Sequence, residues 1–328
     1  MSQATPYVRP DVQMMLDLLS AQEGPKAHES DPATARAMMD MIFTMAERPC
    51  GDLAVKRDFA LPGPAGDIPA RLYDTRENRE PGPVVVFFHG GGFVIGNIET
   101  HDGLCGETAS TLDLPVVSVD YRLAPENPFP AAPEDCIAAA RWIASSPTEL
   151  GLQVTGLIPS GDSAGGNLAA VTSLALRDEP ADVPVIAQWL IYPATDMSAD
   201  GGSMQDFAEG FLLESATMEW FGNHYAGDET DWRLNPVLKD TTGLPPTVLV
   251  TAGLDPLRDQ GREYAGKLIA GGVHTVYREA GGNIHGFANL RKIIPSAHDD
   301  VVACLEALKL ILAEIEEDAA PEQAAAAE

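Results

Sequence analysis

A serine flanked by glycines lies near the middle of the 328-residue chain, in the segment GDSAGG at residues 161–166. Ser163 follows an apolar run typical of a strand and precedes a pattern typical of a helix, so the motif G-x-S-x-G falls on a strand-to-helix turn. Glycines two residues before and after the serine suit a sharp turn because they carry no Cβ atom. This context predicts a nucleophilic serine whose hydroxyl lies at the N-terminus of a helix.

A serine hydroxyl is a weak nucleophile, so the site needs a base to take its proton and a carboxylate to orient that base. Among the seven histidines, His285 fits best because it directly follows the last strand-like run, at the carboxyl end of that strand. Asp255 follows another strand-like run in the same way and is our candidate acid. Asp196, which also follows such a run, is the alternative. We expect Asp259 to cap the next helix.

A second glycine cluster, HGGGF at residues 89–93, follows the first long apolar run. The intermediate of acyl transfer carries an oxyanion, which unobstructed backbone N–H groups can stabilise. We therefore predict an oxyanion hole formed by the N–H groups of Gly91, Gly92 and Ala164, the last being the residue after the serine. His89 is expected to hold this loop through hydrogen bonds rather than to take part in the chemistry.

The elements that must position these residues follow from the alternation of apolar runs and amphipathic stretches. Two helices are predicted over 10–22 and 31–48, and an antiparallel hairpin over 53–75. Strand-like and helix-like segments then alternate, which indicates a mostly parallel sheet covered by helices on both faces. We predict an α/β fold with a mostly parallel eight-stranded sheet flanked by helices, with residues 51–195 and 241–317 forming this core.

Residues 1–50 and 196–240 lie outside this alternation, and we predict that together they form a helical cap. The stretch 207–227 has a helical pattern, and all ten methionines lie in the two segments. Flexible thioether side chains suit a pocket wall that adapts to varied apolar groups, although they equally fill gaps between cap helices. The low-complexity tail, residues 318–328, is predicted to be disordered.

Charge excludes several classes of partner. The chain has 49 acidic and 21 basic residues, a net charge of −28, which repels phosphate backbones and anionic lipids, so neither nucleic acid nor a membrane is an expected partner. The four cysteines are far apart and form no metal-binding pair, so we expect free thiols, no metal and no cofactor. Neither a secretory signal nor a membrane-spanning run is recognisable, which predicts a cytoplasmic protein.

The motifs HGGGF, YRLAPE, GDSAGGNLAA, DPLRD and HGF, between residues 87 and 287, closely resemble those of the bacterial hormone-sensitive-lipase-like (family IV) carboxylesterases, in the branch with Asp before the nucleophile. The chain order of the serine, the acid and the histidine is also that of α/β-hydrolases. The resemblance implies an α/β-hydrolase fold with Ser163 as nucleophile, His285 as general base and Asp255 as its orienting acid. It also implies structural roles for Arg122 and Glu126 in YRLAPE.

The resemblance further implies small-molecule esters with short to medium acyl chains as substrates, and a homodimer formed through the last strand and the C-terminal helix. Amide or lactone hydrolysis remains an alternative because the same three side chains perform it. A non-catalytic ligand receptor, as known for a plant hormone receptor of similar sequence, is disfavoured because HGF retains His285. One departure is the segment EAGGN, residues 279–283, whose extra glycine is expected to alter the loop that carries His285.

Overall fold

The computed structural model describes residues 6–21 and 24–326, with side chains as far as residue 318. The strands are β1 (Val55–Gly63), β2 (Gly66–Asp74), β3 (Gly82–Phe88), β4 (Val116–Val119), β5 (Val154–Asp162), β6 (Gln188–Ile191), β7 (Thr247–Leu254) and β8 (Thr275–Ile284). The helices are α1 (Pro10–Ser20), α2 (Pro32–Ala46), α3 (Asp102–Leu112), α4 (Ala131–Ala144), α5 (Ala164–Asp178), α6 (Ser203–Asp206), α7 (Ser215–Tyr225), α8 (Arg258–Ala270) and α9 (Pro295–Ala326).

All eight strands form one sheet in the order β1-β2-β4-β3-β5-β6-β7-β8. The hairpin β1–β2 and the pair β2–β4 are antiparallel, and every other neighbouring pair is parallel. The predicted fold, a mostly parallel eight-stranded sheet flanked by helices, is therefore confirmed. The carboxyl ends of β5, β7 and β8 lie at the same edge of the sheet, which is where the predicted site residues follow them.

Side-chain alternation along the strands divides the core between two faces of the sheet. On β3, Val84 and Val86 pack into a cluster that contains Leu168 of α5. Val85 and Phe87, between and beyond them in sequence, pack into the other cluster with residues of α3 and α9. Both faces of the central strands are thus buried, as their continuous apolar sequence predicts.

The predicted helix over 207–227 is only partly correct, since α7 covers its second half and residues 207–214 form turns. Gly210 and Leu212 have φ angles of 84° and 72°, which an α-helix cannot contain. The helical spacing of apolar side chains in this stretch therefore belongs to a turn-rich segment in its first half.

The N-terminal segment and the insert after β6 contact each other. Lys26 Nζ lies 2.6 Å from Glu214 Oε2, and His28 Nδ1 lies 3.0 Å from Thr217 Oγ1. The division into cap and core remains a prediction. So does disorder at 318–328, because the side chains beyond 318 lie outside the described residues although the helical backbone is traced to Ala326. In the described ranges, no helix combines the length and apolar character that crossing a membrane needs.

Candidate active site

Ser163, His285 and Asp255 meet at the carboxyl ends of β5, β8 and β7. The Nε2 atom of His285 lies 2.9 Å from Ser163 Oγ, and its Nδ1 atom lies 2.8 Å from Asp255 Oδ2. Asp255 is fully buried, and its Oδ1 atom accepts the N–H of Leu257 at 2.8 Å. A carboxylate beside Nδ1 favours the tautomer with the proton on that nitrogen, which leaves Nε2 free to accept a proton from the serine.

The backbone of Ser163 has the strained geometry that a strand-to-helix turn requires. Its φ of 55° and ψ of −116° lie in a region that residues other than glycine rarely adopt, so the surroundings must hold it there. Its N–H donates to Ile191 O at 2.8 Å, on the neighbouring strand β6. A Cβ atom on Gly161 or Gly165 would collide with the carbonyl oxygen of Phe88, which explains why glycine stands on both sides of the serine.

The other two acidic residues considered in the sequence have different partners. Asp196 accepts hydrogen bonds from Ser198, at 2.9 Å from the backbone N–H and 2.6 Å from the hydroxyl. Within the described residues, no contact joins it to His285. The prediction that Asp259 caps α8 is wrong, because it lies inside that helix and its carboxylate accepts the N–H of Ser203 at 2.9 Å.

The loop after β3 exposes backbone donors next to the serine. Gly91, Gly92 and Ala164 line the same cavity as Ser163. Within the described part of the chain, their N–H groups have no hydrogen-bond acceptor. Gly91 and Gly92 have φ angles of 118° and 59°, a conformation that glycine adopts without strain. These three N–H groups are therefore free to bind a negatively charged oxygen in the cavity.

A buried network behind the serine surrounds Asp162, and the sequence patterns gave no sign of it. Asp162 Oδ1 accepts the N–H of Gly90 at 2.8 Å and lies 2.9 Å from His101 Nε2. Its Oδ2 atom accepts hydrogen bonds from Tyr192 and Asn289, each at 3.3 Å. Burial acts to raise the pKa of Asp162, but the His101 side chain and the Gly90 N–H stabilise the carboxylate and lower the pKa below its usual value. The network ties the serine turn to the loop after β3.

Comparison with known proteins agrees with this geometry. A family profile for the alpha/beta hydrolase fold matches residues 85–289. The chain belongs to the α/β hydrolase family. Carboxylic ester hydrolase LipN of Mycobacterium tuberculosis is 42% identical over 274 residues, which cover 80% of this chain and 72% of LipN. The structure of a hyperthermophilic esterase from the archaeon Pyrobaculum calidifontis superposes with a TM-score of 0.85 and 36% identity, covering 94% of this chain and 99% of that one.

The ester hydrolase EH1AB1 from the metagenome of Lake Arreo, solved with a derivative of bipyridine phosphonate, is a further structural relative of this α/β hydrolase. Its TM-score is 0.86 at 39% identity, and the match covers 93% of this chain and 99% of that one. The resemblance to the hormone-sensitive-lipase-like carboxylesterases, stated above from the motifs alone, is therefore confirmed.

His89 supports the glycine loop of the hydrolase from below. Its Nδ1 atom lies 2.8 Å from Gly90 O, and its ring stacks on Tyr121 with a centroid separation of 4.3 Å. Complete burial lowers the pKa of His89 to about 3, so the ring is neutral and its Nδ1–H can donate to the carbonyl. This contact agrees with the loop-holding role expected of His89.

The motif YRLAPE of the hydrolase stabilises the region beside the loop through two ion pairs. Arg122 pairs with the buried Asp135 of α4 at 2.7 Å, which joins the motif to that helix. Glu126 pairs with Arg36 of α2 at 2.7 Å, and Arg36 Nε also donates to Val94 O at 2.8 Å. The N-terminal helix α2 is thus fastened to the loop that carries Gly91 and Gly92.

The site opens into a cavity of about 1230 Å³ between the sheet edge, the N-terminal helices and the insert. Five methionines line it: Met38, Met39, Met197, Met204 and Met218. Such side chains form a deformable apolar wall. For these five residues, the structure favours the pocket-wall interpretation over the filling of gaps between helices.

Proposed function

We propose that this α/β hydrolase is a serine carboxylesterase that hydrolyses small-molecule carboxylic esters through an acyl-enzyme intermediate. The observation that carries the proposal is the continuous line of contacts from Asp255 through His285 to Ser163, at 2.8 Å and 2.9 Å. Free backbone N–H groups beside the serine and a large apolar cavity support it further. The relatives described above are named as ester hydrolases.

In the first half of the reaction, Ser163 Oγ attacks the ester carbonyl carbon while Nε2 of His285 takes the hydroxyl proton. The negative charge that develops on the carbonyl oxygen is stabilised by the N–H groups of Gly91, Gly92 and Ala164. The C–O bond to the alcohol then breaks, and the alkoxide leaves as the alcohol with the proton from His285. Asp255 stabilises the imidazolium throughout because its carboxylate stays beside Nδ1.

In the second half, water replaces the alcohol beside the acyl-enzyme. His285 accepts a proton from this water, whose oxygen attacks the acyl carbon and forms a second oxyanion in the same hole. Cleavage of the bond to Ser163 Oγ releases the carboxylic acid, and the proton returns from His285 to the serine. Short to medium acyl chains are the proposed substrates, since their apolar tails fit between the methionines of the cavity wall.

Replacing the serine tests this assignment. Ser163→Ala should lower kcat for p-nitrophenyl butyrate by at least about 10⁴-fold, because no nucleophile remains. A fluorophosphonate probe should label the parent protein and not the variant. Ser145→Ala, at an exposed serine distant from the cavity, is the control and should keep both properties. Hydrolysis by Ser163→Ala at the parent rate would refute the mechanism.

The same three side chains could hydrolyse amides and lactones. The reaction is therefore defined by comparing kcat/KM for an ester, an amide and a lactone of similar acyl size. We expect the ester to give a higher kcat/KM than the amide, since an alkoxide leaves more readily than an amide nitrogen, and the comparison measures the lactone beside them. Absence of labelling by the fluorophosphonate, together with tight binding of a ligand in the cavity, would instead identify a non-catalytic receptor.

We also propose a cytoplasmic location and a homodimer. The four cysteines, Cys50, Cys105, Cys136 and Cys304, are unpaired, which suits a reducing compartment. Residues 275–280 at the outer edge of β8 have no neighbouring strand in the described sheet and are available to pair with a second copy. The carbonyl oxygens of Gly281 and Gly282 are already bound by Arg9. Light scattering during gel filtration should give twice the chain mass of 34.8 kDa, and the mass of a single chain would contradict the dimer.

A further inference from the structure

The loop after β3 has three consecutive residues in the left-handed region: Gly91, Gly92 and Phe93, with φ angles of 118°, 59° and 63°. Glycine adopts this region without strain, but Phe93 keeps such a conformation only because the surroundings fix it. Two of these residues have backbone hydrogen bonds that do so. Gly91 O accepts the N–H of Ile95 at 2.9 Å, and Phe93 O accepts the N–H of Ala124 at 2.9 Å.

Gly92 differs from its neighbours because, within the described residues, its backbone takes part in no hydrogen bond. A side chain from the insert holds it instead. A Cβ atom built on Gly92 would collide with the ring atoms of Phe221, so the aromatic ring of Phe221 occupies the space that a side chain of residue 92 would fill. The ring therefore packs directly against the peptide whose N–H is a proposed oxyanion donor.

A second aromatic contact aligns the same helix with the same loop. The ring of Tyr225 stacks on Phe93 with a centroid separation of 4.0 Å and an angle of 6° between the planes. Phe221 and Tyr225 are four residues apart on α7 and so lie on one face of that helix. Tyr225 O also accepts the N–H of Phe129 at 2.9 Å. The position of α7 is therefore set independently of Gly92.

We propose that Phe221 is a positioning residue for the oxyanion hole, acting by packing against Gly92. The proposal rests on the function proposed above. An oxyanion donor is effective only if it already points at the place where the charge develops, because reorientation during the reaction costs free energy. Without the ring, the peptide of Gly92 would be free to rotate, since glycine adopts many backbone conformations. Transition-state binding would weaken, while binding of the ground-state ester would change little.

Phe221 also lines the cavity, so the experiment must separate positioning from a simple wall contact. Phe221→Ala should lower kcat by about 10-fold or more with KM changed by less than about threefold, which is a fraction of the loss on deleting a whole oxyanion donor. The loss should be equal for acetyl, butyryl and octanoyl p-nitrophenyl esters. Phe221→Leu, which still covers Gly92, should recover most of kcat.

A trifluoromethyl ketone, which forms a tetrahedral adduct with the serine, provides a readout specific to the oxyanion hole. Its inhibition constant should rise by the same factor as kcat/KM falls in Phe221→Ala. Met218→Ala is the matched control, since Met218 lines the cavity from the same helix. That control should alter the preference for acyl-chain length and leave the inhibition constant of the ketone unchanged.

Loss that depends on acyl length, a change confined to KM, or unchanged ketone affinity would each overturn the positioning role while the esterase assignment stands. The esterase assignment fails separately, through Ser163→Ala. Thermal unfolding verifies that Phe221→Ala is folded. If it is not, Phe221→Val, which keeps an apolar side chain but is too short to cover Gly92, takes its place in the same comparison.

Discussion

His101 Nε2 lies 2.9 Å from Asp162 Oδ1, and both side chains are buried directly behind Ser163. His101 ends the turn before α3 and Asp162 ends β5, so the contact joins segments that are 61 positions apart. Through the N–H of Gly90, the same carboxylate reaches the loop that carries the proposed oxyanion donors Gly91 and Gly92. Asp162 thus links the two parts of the site that must keep a fixed geometry during the reaction.

Asp162→Asn should weaken both folding and catalysis. The neutral amide has only one acceptor oxygen. Its NH₂ group would therefore face groups that donate hydrogen bonds to the carboxylate in the parent protein. We expect the free energy of unfolding to fall by about 2–4 kcal/mol, because buried donors lose their partner. Urea unfolding and kcat, which should also fall, measure the two effects. Asp182→Asn, at an exposed position, should change neither, and equal behaviour of the two variants would contradict the role of Asp162.

Asp255→Asn should lower kcat by about 10⁴-fold, because an amide favours the wrong tautomer of His285 and stabilises its cation poorly. Asp196→Asn serves as the control, since Asp196 lines the cavity without contacting the histidine. The fall in kcat should be far smaller in Asp196→Asn than in Asp255→Asn. Steady-state kinetics with one ester decides between them: a larger loss in Asp196→Asn would identify that residue as the orienting acid.

His89 should make the fold less stable in mild acid. Its pKa is lowered by burial to about 3, against about 6.5 for an unfolded histidine. Below about pH 6.5, the unfolded chain therefore binds a proton that the folded chain does not, and stability falls as the pH drops towards 3. His89→Asn removes this titration. Between about pH 6 and 5, denaturant unfolding should show the parent losing about 1 kcal/mol more than the variant; identical slopes would rule out a neutral buried His89.

Gly282→Ala should disturb the attachment of the N-terminal segment. Gly282 has a φ of 75°, and a Cβ atom there would lie 2.8 Å from the Tyr7 ring and 3.1 Å from the Arg9 side chain. Strain and displacement together should lower the free energy of unfolding by about 1–3 kcal/mol. Gly281→Ala is the matched control, because a Cβ atom on Gly281 meets nothing within 4 Å. Urea unfolding of both variants tests this. Equal free energies of unfolding would show that the N-terminal segment shifts to accommodate the methyl group without loss of stability.

The extra glycine noted in EAGGN thus has a structural reason that sequence alone did not supply. The N–H of Arg9 donates to Gly282 O at 3.1 Å, and the Arg9 guanidinium pairs with Asp300 of α9 at 2.6 Å. The glycines form the surface on which the chain before α1 lies, three positions before His285. Whether a larger residue fits there depends on a segment more than 270 positions away.

The predicted site residues that the structure brings together are marked by local sequence patterns. Ser163 lies in a short motif, and Asp255 and His285 each directly follow an apolar strand, so parallel topology alone brings them to one edge. His101, Tyr192 and Phe221 could not be found in this way. Each enters the site from an unrelated segment by tertiary packing, and none lies in a spacing that distinguishes it from an ordinary buried residue.

The methionine wall of the cavity makes the protein chemically vulnerable at its binding surface. Thioethers are oxidised by peroxides to sulfoxides, which are polar and chiral. Five methionines line the cavity beside Ser163. Their oxidation would place polar sulfoxide oxygens, which are strong hydrogen-bond acceptors, in an apolar lining. Under oxidative stress the protein would lose its affinity for hydrophobic acyl groups, while Ser163 remained reactive. Reduction of the sulfoxides by a methionine sulfoxide reductase would restore that affinity.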